Sequence, residues 1–319
     1  MSDTSAAPVC VFGAGAVGCY LGGRLAAAGT PVALVGRARI GDAIRASGLT
    51  LTDSRGYRAT LEPAAVAFST DPAAARLVLV TVKSAATHDA AAQLAGVLRP
   101  GTVVVSFQNG LSNADVLRDA LPQATVLAGM VPFNVIERGP GAFHQGSTGA
   151  LAADASPALR PFTGAFACAG LPLALHRDMR AVQWAKLLLN LNNAVNALAN
   201  LPLRDELSQR EALHVLFRAA IRPARLTPLP AAWIPAVLEL PDSAFRALGG
   251  RMLAIDPLAR SSMSDDLAAR LGAPAPVNAR LCALVHDAET AASRPAWRGD
   301  ALWAELTAEV TSAGGMRAA

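Results

Sequence analysis

The chain has 319 residues, 52% of them hydrophobic and 16% charged, a balance that excludes a disordered chain and predicts a compact, enzyme-like protein of two domains. A formal charge of +4, with no basic run interleaved with aromatics, argues against nucleic-acid binding. No uninterrupted apolar run reaches the roughly 18 residues of a membrane span, and MSDTSAAP lacks the basic start and apolar stretch of a secretory signal, so a soluble, cytoplasmic protein is expected.

Residues 9–12, VCVF, read as a buried strand that stops at GAGAVG and passes into the helical CYLGGRLAAAG. Strand, glycine turn and helix in that order form the dinucleotide-binding fingerprint. Gly13 permits the tight turn, Gly15 lets a pyrophosphate approach the backbone, and Gly18 lets helix and strand pack closely. The backbone N–H groups of Ala16 and Val17 belong to the helix start that attracts phosphate. Cys10 and Cys19 fall inside this strand and helix, and none of Cys10, Cys19, Cys168 and Cys282 forms a CxxC pair. Reduced structural thiols are the expected state.

The next strand, PVALV, ends in GRAR. An NAD site places Asp or Glu about twenty residues beyond the glycine turn, where it bonds the ribose hydroxyls. This chain has Gly36 there, then Arg37 and Arg39. A small neutral residue followed by a cation suits a 2′-phosphate, so NADP is favoured with Arg37 as its contact. Two solvated surface arginines are the bland alternative, which for Arg39 is nearly as good.

Strands are also expected in ARLVLVTVK (75–83) and GTVVVSFQNG (101–110), with the helical HDAAAQLAGVL between them. This alternation continues a doubly wound sheet, whose ligands gather at the carboxyl ends of the strands. Lys83 and Asn109 both sit at such ends. Two more apolar runs, ATVLAGMVPF and GALAAD, complete the sheet, with His144 in a solvated loop between them. The fold class is α/β: an amino-terminal Rossmann-type sheet over 1–177 and an all-α carboxy-terminal domain over 178–319.

Of 28 basic side chains only Lys83 and Lys186 are lysine. Burial can bring a lysine pKa into a useful range, whereas guanidinium keeps its proton, so both are candidates for chemistry. Lys186 lies in WAKLLLNLNNAVNALAN (184–200), an apolar helical stretch with five asparagines, a residue whose side chain competes with the helical backbone for hydrogen bonds. At about 100° per residue, Asn190, Asn193 and Asn200 fall within about 40° of Lys186 around the helix, with Asn196 and Asn192 to the flank. The stripe is either a polar seam between packed helices or a substrate wall in which amides orient hydroxyl and carboxylate groups while an ammonium supplies a proton.

VFGAGAVGCYLGGRLA, TVKSAA, SFQNG, WAKLLLNLNNAVNAL, RSSMSDDL and GAPAPVNARLCALV, in this order and spacing, resemble the ketopantoate reductase (2-dehydropantoate 2-reductase) family over nearly the whole chain. The resemblance implies an NADP-binding Rossmann domain followed by a helical domain, and reduction of ketopantoate to pantoate, a step of pantothenate biosynthesis, by NADPH. It implies Lys186 as the general acid and Asn190 as a substrate ligand one turn on. The family's next asparagine falls on Ala194, with Asn193 or Asn196 to substitute. It further implies that Asn109 contacts substrate and cofactor, that Lys83 lies near the nicotinamide ribose, and that Ser262 holds the substrate carboxylate.

The sequence departs from the family where RSSMSDDLAA runs straight into RLGAPAPVN. The TEID segment, whose glutamate contacts substrate, has no counterpart. The nearest carboxylates are Asp265 and Asp266, which align ahead of the lost segment. Three functions stay open: an NADPH-dependent ketopantoate reductase, a reductase of another 2-keto acid, and an inactive NADPH-binding sensor or partner protein. A small-molecule substrate is expected, with no nucleic acid, membrane or metal, and a homodimer is one assembly open to the chain.

Overall fold

The computed structural model describes residues 9–68, 72–190, 276–291, 295–298, 301–302 and 304–306. The chain divides into two compact units, Met1–Trp184 and Ala185–Ala319. Among the described residues no helix is long and apolar enough to cross a membrane.

In the first unit, β1 (Val9–Phe12) leads into α1 (Ala16–Ala27), β2 (Val32–Val35) and α2 (Ala38–Ser47). A hairpin follows, β3 (Leu49–Asp53) and β4 (Arg58–Leu61), before β5 (Ala67–Phe68) and β6 (Leu77–Val80). Next come α3 (Thr87–Ala95), β7 (Val103–Ser106), α4 (Asn113–Ala120) and β8 (Thr125–Met130). The remaining elements are β9 (Val135–Glu137), β10 (Ala142–Gln145), β11 (Leu151–Asp154), α5 (Arg160–Cys168), β12 (Leu173–His176) and α6 (Met179–Asn190), which runs across the division between the units.

Eight strands form the main sheet in the order β12-β11-β8-β7-β6-β1-β2-β5. The six from β5 to β8 are parallel, while β11 joins β8 antiparallel and β12 joins β11 parallel. Each of β1, β6 and β7 is buried along its whole length, as expected of parallel strands covered on both faces. Winding proceeds from β1 through β2 to β5, and in the opposite direction from β6 through β7 to β8. The switch point therefore lies between β1 and β6, where this fold class binds its ligands.

A second sheet, β4-β3-β10-β9, has no counterpart in the sequence expectations. Its strands are three to five residues long and come from two distant segments, and β3 and β4 mix threonine with leucine. Helix α1 is packed between the sheets. A Cβ at Gly22 would come 2.6 Å from Leu34 of the main sheet, and one at Gly23 would come 2.6 Å from Leu49 of the second. Residues Gly18 to Leu25 are consequently all buried, the pattern of a helix covered on every side.

His144 is a correction to the expected solvated loop. It lies on β10 opposite Thr52 of β3, is only 7% exposed, and its Nδ1 is 2.8 Å from the Thr52 hydroxyl. The flanking glycines of GPGAFHQG conceal a strand too short to show periodicity. Cys10 and Cys19 are buried and Cys168 at the end of α5 is exposed, none of the three in a disulfide. Burial, reinforced by the Glu137 charge and partly offset by Arg39, pushes the Cys19 thiol up to about 12, which keeps it protonated and inert.

In the second unit, helix Pro276–Thr290 carries Arg280, which pairs with Glu305. Leu281, Leu284, Leu302 and Leu306 are buried. Asn193, Asn196, Asn200, Ser262, Asp265 and Asp266 lie outside the described residues, as does most of the expected all-α domain.

Arg24, near the end of α1, ties three parts of the first unit together. Its Nε donates to the carbonyl of Ala169 after α5 at 2.9 Å, and Nη1 donates to the Tyr20 hydroxyl at 2.8 Å. The guanidinium stacks 3.6 Å from the centre of the Tyr57 ring and lies 3.9 Å from Asp53. Asp53 in turn accepts from the backbone N–H groups of Arg55 and Tyr57 at 2.8 Å each, shaping the β3–β4 turn. Gly170 has φ +64°, and a Cβ there would collide with the Arg24 guanidinium. Removing one member of so buried a charged group costs about 3 to 5 kcal/mol. Arg24→Ala should lower the urea midpoint of the first unit accordingly, and Arg24→Lys should recover little, because an ammonium cannot both fork and stack. A parental midpoint for Arg24→Ala would overturn this role.

Candidate functional site

The glycine turn opens at the switch point. Gly13 has φ +113°, and a Cβ on it would come 2.6 Å from the backbone nitrogen of Val82. Its N–H and that of Ala14 donate to the Val35 carbonyl at 2.9 and 2.8 Å. Gly18 faces the same neighbours: a Cβ there would come 2.6 Å from the Thr81 hydroxyl, which donates to the Gly13 carbonyl at 2.7 Å. Gly15 differs, since a Cβ there would meet nothing within 4 Å. The room beside Gly15 lies at the start of α1, whose first turn has no acidic residue and no side-chain cap. Ala16 and Val17 are the first helical residues there and are partly exposed. Two glycines thus close the turn against β6, while the third leaves an open space over uncapped N–H groups, which fits a phosphate.

At the end of β2, a Cβ on Gly36 would come 2.6 Å from that of Ala14. The position is small because it lies against the glycine turn, so no acidic side chain fits there without moving the turn. Arg37 and Arg39 follow and are exposed. Arg39 is held by Glu137 of β9 through two parallel hydrogen bonds of 3.0 Å. That pair, with Arg37 adding at longer range, holds the Glu137 carboxyl below its ordinary pKa.

The loops after β6 and β7 carry Lys83 and Asn109, whose side chains are exposed. A buried polar network joins the two loops. Ser106 donates to Gln108 Oε1 at 2.9 Å, and Gln108 Nε2 donates to Thr87 Oγ1 at 2.8 Å and to the Val82 carbonyl at 3.1 Å. Thr87 donates to Asn113 Oδ1 at 2.9 Å. Asn113 Nδ2 then reaches the Asn109 carbonyl at 2.5 Å and Ser84 Oγ at 3.0 Å, and Ser84 also donates to the Asn109 carbonyl. Burying these groups is tolerable only because they satisfy one another.

The network holds the backbones of Lys83 and Asn109 together, and Thr81 with Val82 holds the same region against the glycine turn. Gly13, Gly15, Gly18, Lys83 and Asn109 therefore occupy one end of the main sheet. Thr81, Ser84, Thr87, Gln108, Asn113 and Glu137 were not among the sequence candidates. The available signal was polar residues at the ends of otherwise apolar strands, as in SFQN. No group of three or more His, Cys, Asp or Glu suited to a metal ion exists among the described residues.

Lys186 and Asn190 lie one turn apart on α6 and share a face. Lys186 is partly buried, and desolvation pulls its pKa below the ordinary lysine range. Because the unfolded chain holds this proton more tightly, the charged amine costs stability at neutral pH. The cost fades as pH rises through the lowered folded value towards about 10.4. Lys186→Met should therefore be more stable than the parent at neutral pH, with the difference shrinking as the pH approaches that value. Denaturant midpoints across a pH series check this, and a constant difference would remove the desolvation argument.

Comparison with known proteins bears on this geometry. Residues 9–157 match the family model described as ketopantoate reductase PanE/ApbA. The 2-dehydropantoate 2-reductase of Halobacterium salinarum is 33% identical over 204 residues, which are 60% of this chain and 65% of that protein. The Pyrococcus horikoshii protein of the same name is 33% identical over 109 residues, 34% of this chain and 35% of its own length. The chain thus matches less than two thirds of either curated relative. The crystal structure of a PanE/ApbA family ketopantoate reductase from Ralstonia eutropha superposes with a TM-score of 0.65 at 32% identity, over 87% of this chain and 97% of that one. With a relative of 32% identity matched over nearly its whole length, and the family model matching residues 9–157, the chain belongs to the PanE/ApbA ketopantoate reductase family.

Proposed function

We propose that the protein is an NADPH-dependent reductase of a 2-keto acid, with ketopantoate reduced to pantoate for pantothenate biosynthesis as its leading reaction. The observation that carries this reading is the open space at Gly15 over the uncapped start of α1, with Gly36 and Arg37 beside it. Backbone N–H groups there receive the pyrophosphate, and Arg37 receives the 2′-phosphate that distinguishes NADPH from NADH. Bound NADPH would supply a hydride to the keto carbon.

The chain supplies the proton and the alignment. Lys186 donates its proton to the carbonyl oxygen as that oxygen gains charge, and a lysine whose pKa is lowered by burial gives it up more readily. Asn190 bonds the substrate from the next turn, while Lys83 and Asn109 orient substrate and nicotinamide ribose from the clamped loops. Asn193 or Asn196, and Ser262 for the substrate carboxylate, complete the assignment from outside the described residues. Residues 1–177 are assigned to cofactor binding and 178–319 to substrate, in a cytoplasmic protein.

One sequence feature favours a second reading. Without a TEID segment the chain lacks the family's substrate-contacting glutamate, which suits a different 2-keto acid or a protein that binds NADPH without turning it over. Mixing the protein with NADPH and a panel of 2-keto acids separates these. Oxidation with ketopantoate supports the leading reaction, oxidation with another acid reassigns the substrate, and tight binding without oxidation selects the sensor.

Two variants test the assignments. Lys186→Ala should leave NADPH affinity within about twofold while turnover falls by about 10² to 10⁴, and equal turnover would refute its role. Arg37→Ala should weaken NADPH about 10-fold or more, the value of one charge-assisted bond, and leave NADH unchanged. Equal losses for both nucleotides in a fluorescence titration would count against NADPH preference.

A further inference from the structure

The Arg39–Glu137 pair crosses from the first turn of α2 to β9 of the second sheet, close to the proposed 2′-phosphate position. Its two 3.0 Å bonds use both Nη groups of Arg39 and both oxygens of Glu137, so the pair is close to neutral as a unit. Its place beside α1 is marked by Cys19, one turn into that helix, whose thiol feels both charges. Among the described residues no carboxylate lies within 4 Å of Arg37, although the Glu137 charge and Arg37 feel each other. A second arginine two residues after Arg37 should double the local attraction for a dianionic phosphate. Glu137 cancels that gain.

We infer that Glu137 is a specificity-setting residue that neutralises Arg39 and weakens 2′-phosphate recognition, leaving Arg37 to carry the contrast between NADPH and NADH. This rests on the NADPH reading above. Glu137 lies on a short strand with its side chain 29% exposed, and glutamine keeps its size and one acceptor oxygen while removing its charge. Glu137→Gln therefore frees the positive charge of Arg39 without opening a hole. Arg39→Ala does the reverse, leaving the Glu137 carboxylate uncompensated near Arg37.

The test is titration of the full chain with NADPH and with NADH, for the parent, Glu137→Gln, Arg39→Ala, the double variant and Arg37→Ala. Glu137→Gln should tighten NADPH about 3- to 10-fold at low salt, with the gain falling as salt screens it and NADH within about twofold. Arg39→Ala should weaken NADPH, and adding Glu137→Gln to it should restore binding towards the parental value. An NADPH-to-NADH affinity ratio that is unchanged or lowered in Glu137→Gln overturns the inference, the lowered case meaning that Glu137 aims Arg39 at the phosphate. If Arg37→Ala also leaves the ratio unmoved, the NADPH reading falls with it. If Arg37→Ala lowers the ratio and Glu137→Gln does not raise it, the inference alone fails.

Discussion

Backbone pressed against backbone without intervening side chains is the constraint on which the rest of the first unit depends. Gly13 and Gly18 meet the Thr81–Val82 segment after β6, and Gly36 meets Ala14 of the turn. These approaches bring the ends of β1, β2 and β6 close enough for the Val35 carbonyl to accept two N–H groups of the turn and for Thr81 to bond the Gly13 carbonyl. The opening beside Gly15 exists because its neighbours are closed. Polar side chains then carry this closeness further along the sheet, from the Thr81 loop through Gln108, Thr87 and Asn113 to Asn109.

Much of this organisation was legible in the sequence. The run VCVF, the glycine spacing and the apolar segments around Leu77 and Val103 report local requirements: burial on both faces of a strand, and turns that only glycine can make. The second sheet was not legible, because β3 and β10 acquire their apolar partners only when residues about ninety positions apart pair in parallel. His144 was misread for the same reason. Its neighbours in sequence look like a loop, and its neighbour in space, Thr52, cannot be seen from either segment alone. The Gln108 and Asn113 network was half visible, as polar letters at strand ends whose partners lie in another loop.

Gly36 corrects the logic by which a cofactor preference is read. Lack of an acidic residue after β2 suits a 2′-phosphate, yet the structure gives a prior reason for glycine there, contact with Ala14. Steric exclusion and charge preference coincide at one position, so the missing acidic residue does not by itself point to a 2′-phosphate. The lysine count led in the other direction, from composition to Lys186, whose burial is a property of its surroundings and not of its letter.

Helix α1 has a sheet on each side, and two adjacent glycines at its centre. Each glycine costs roughly 1 kcal/mol of helical preference relative to alanine, so the pair lowers the intrinsic helical preference of this segment. What it provides is thinness: with no Cβ at Gly22 or Gly23, Leu34 on one side and Leu49 on the other reach the helix backbone itself. The distance between the two sheets is therefore set by a bare polypeptide rod, and the local cost is offset by layers that interlock across it.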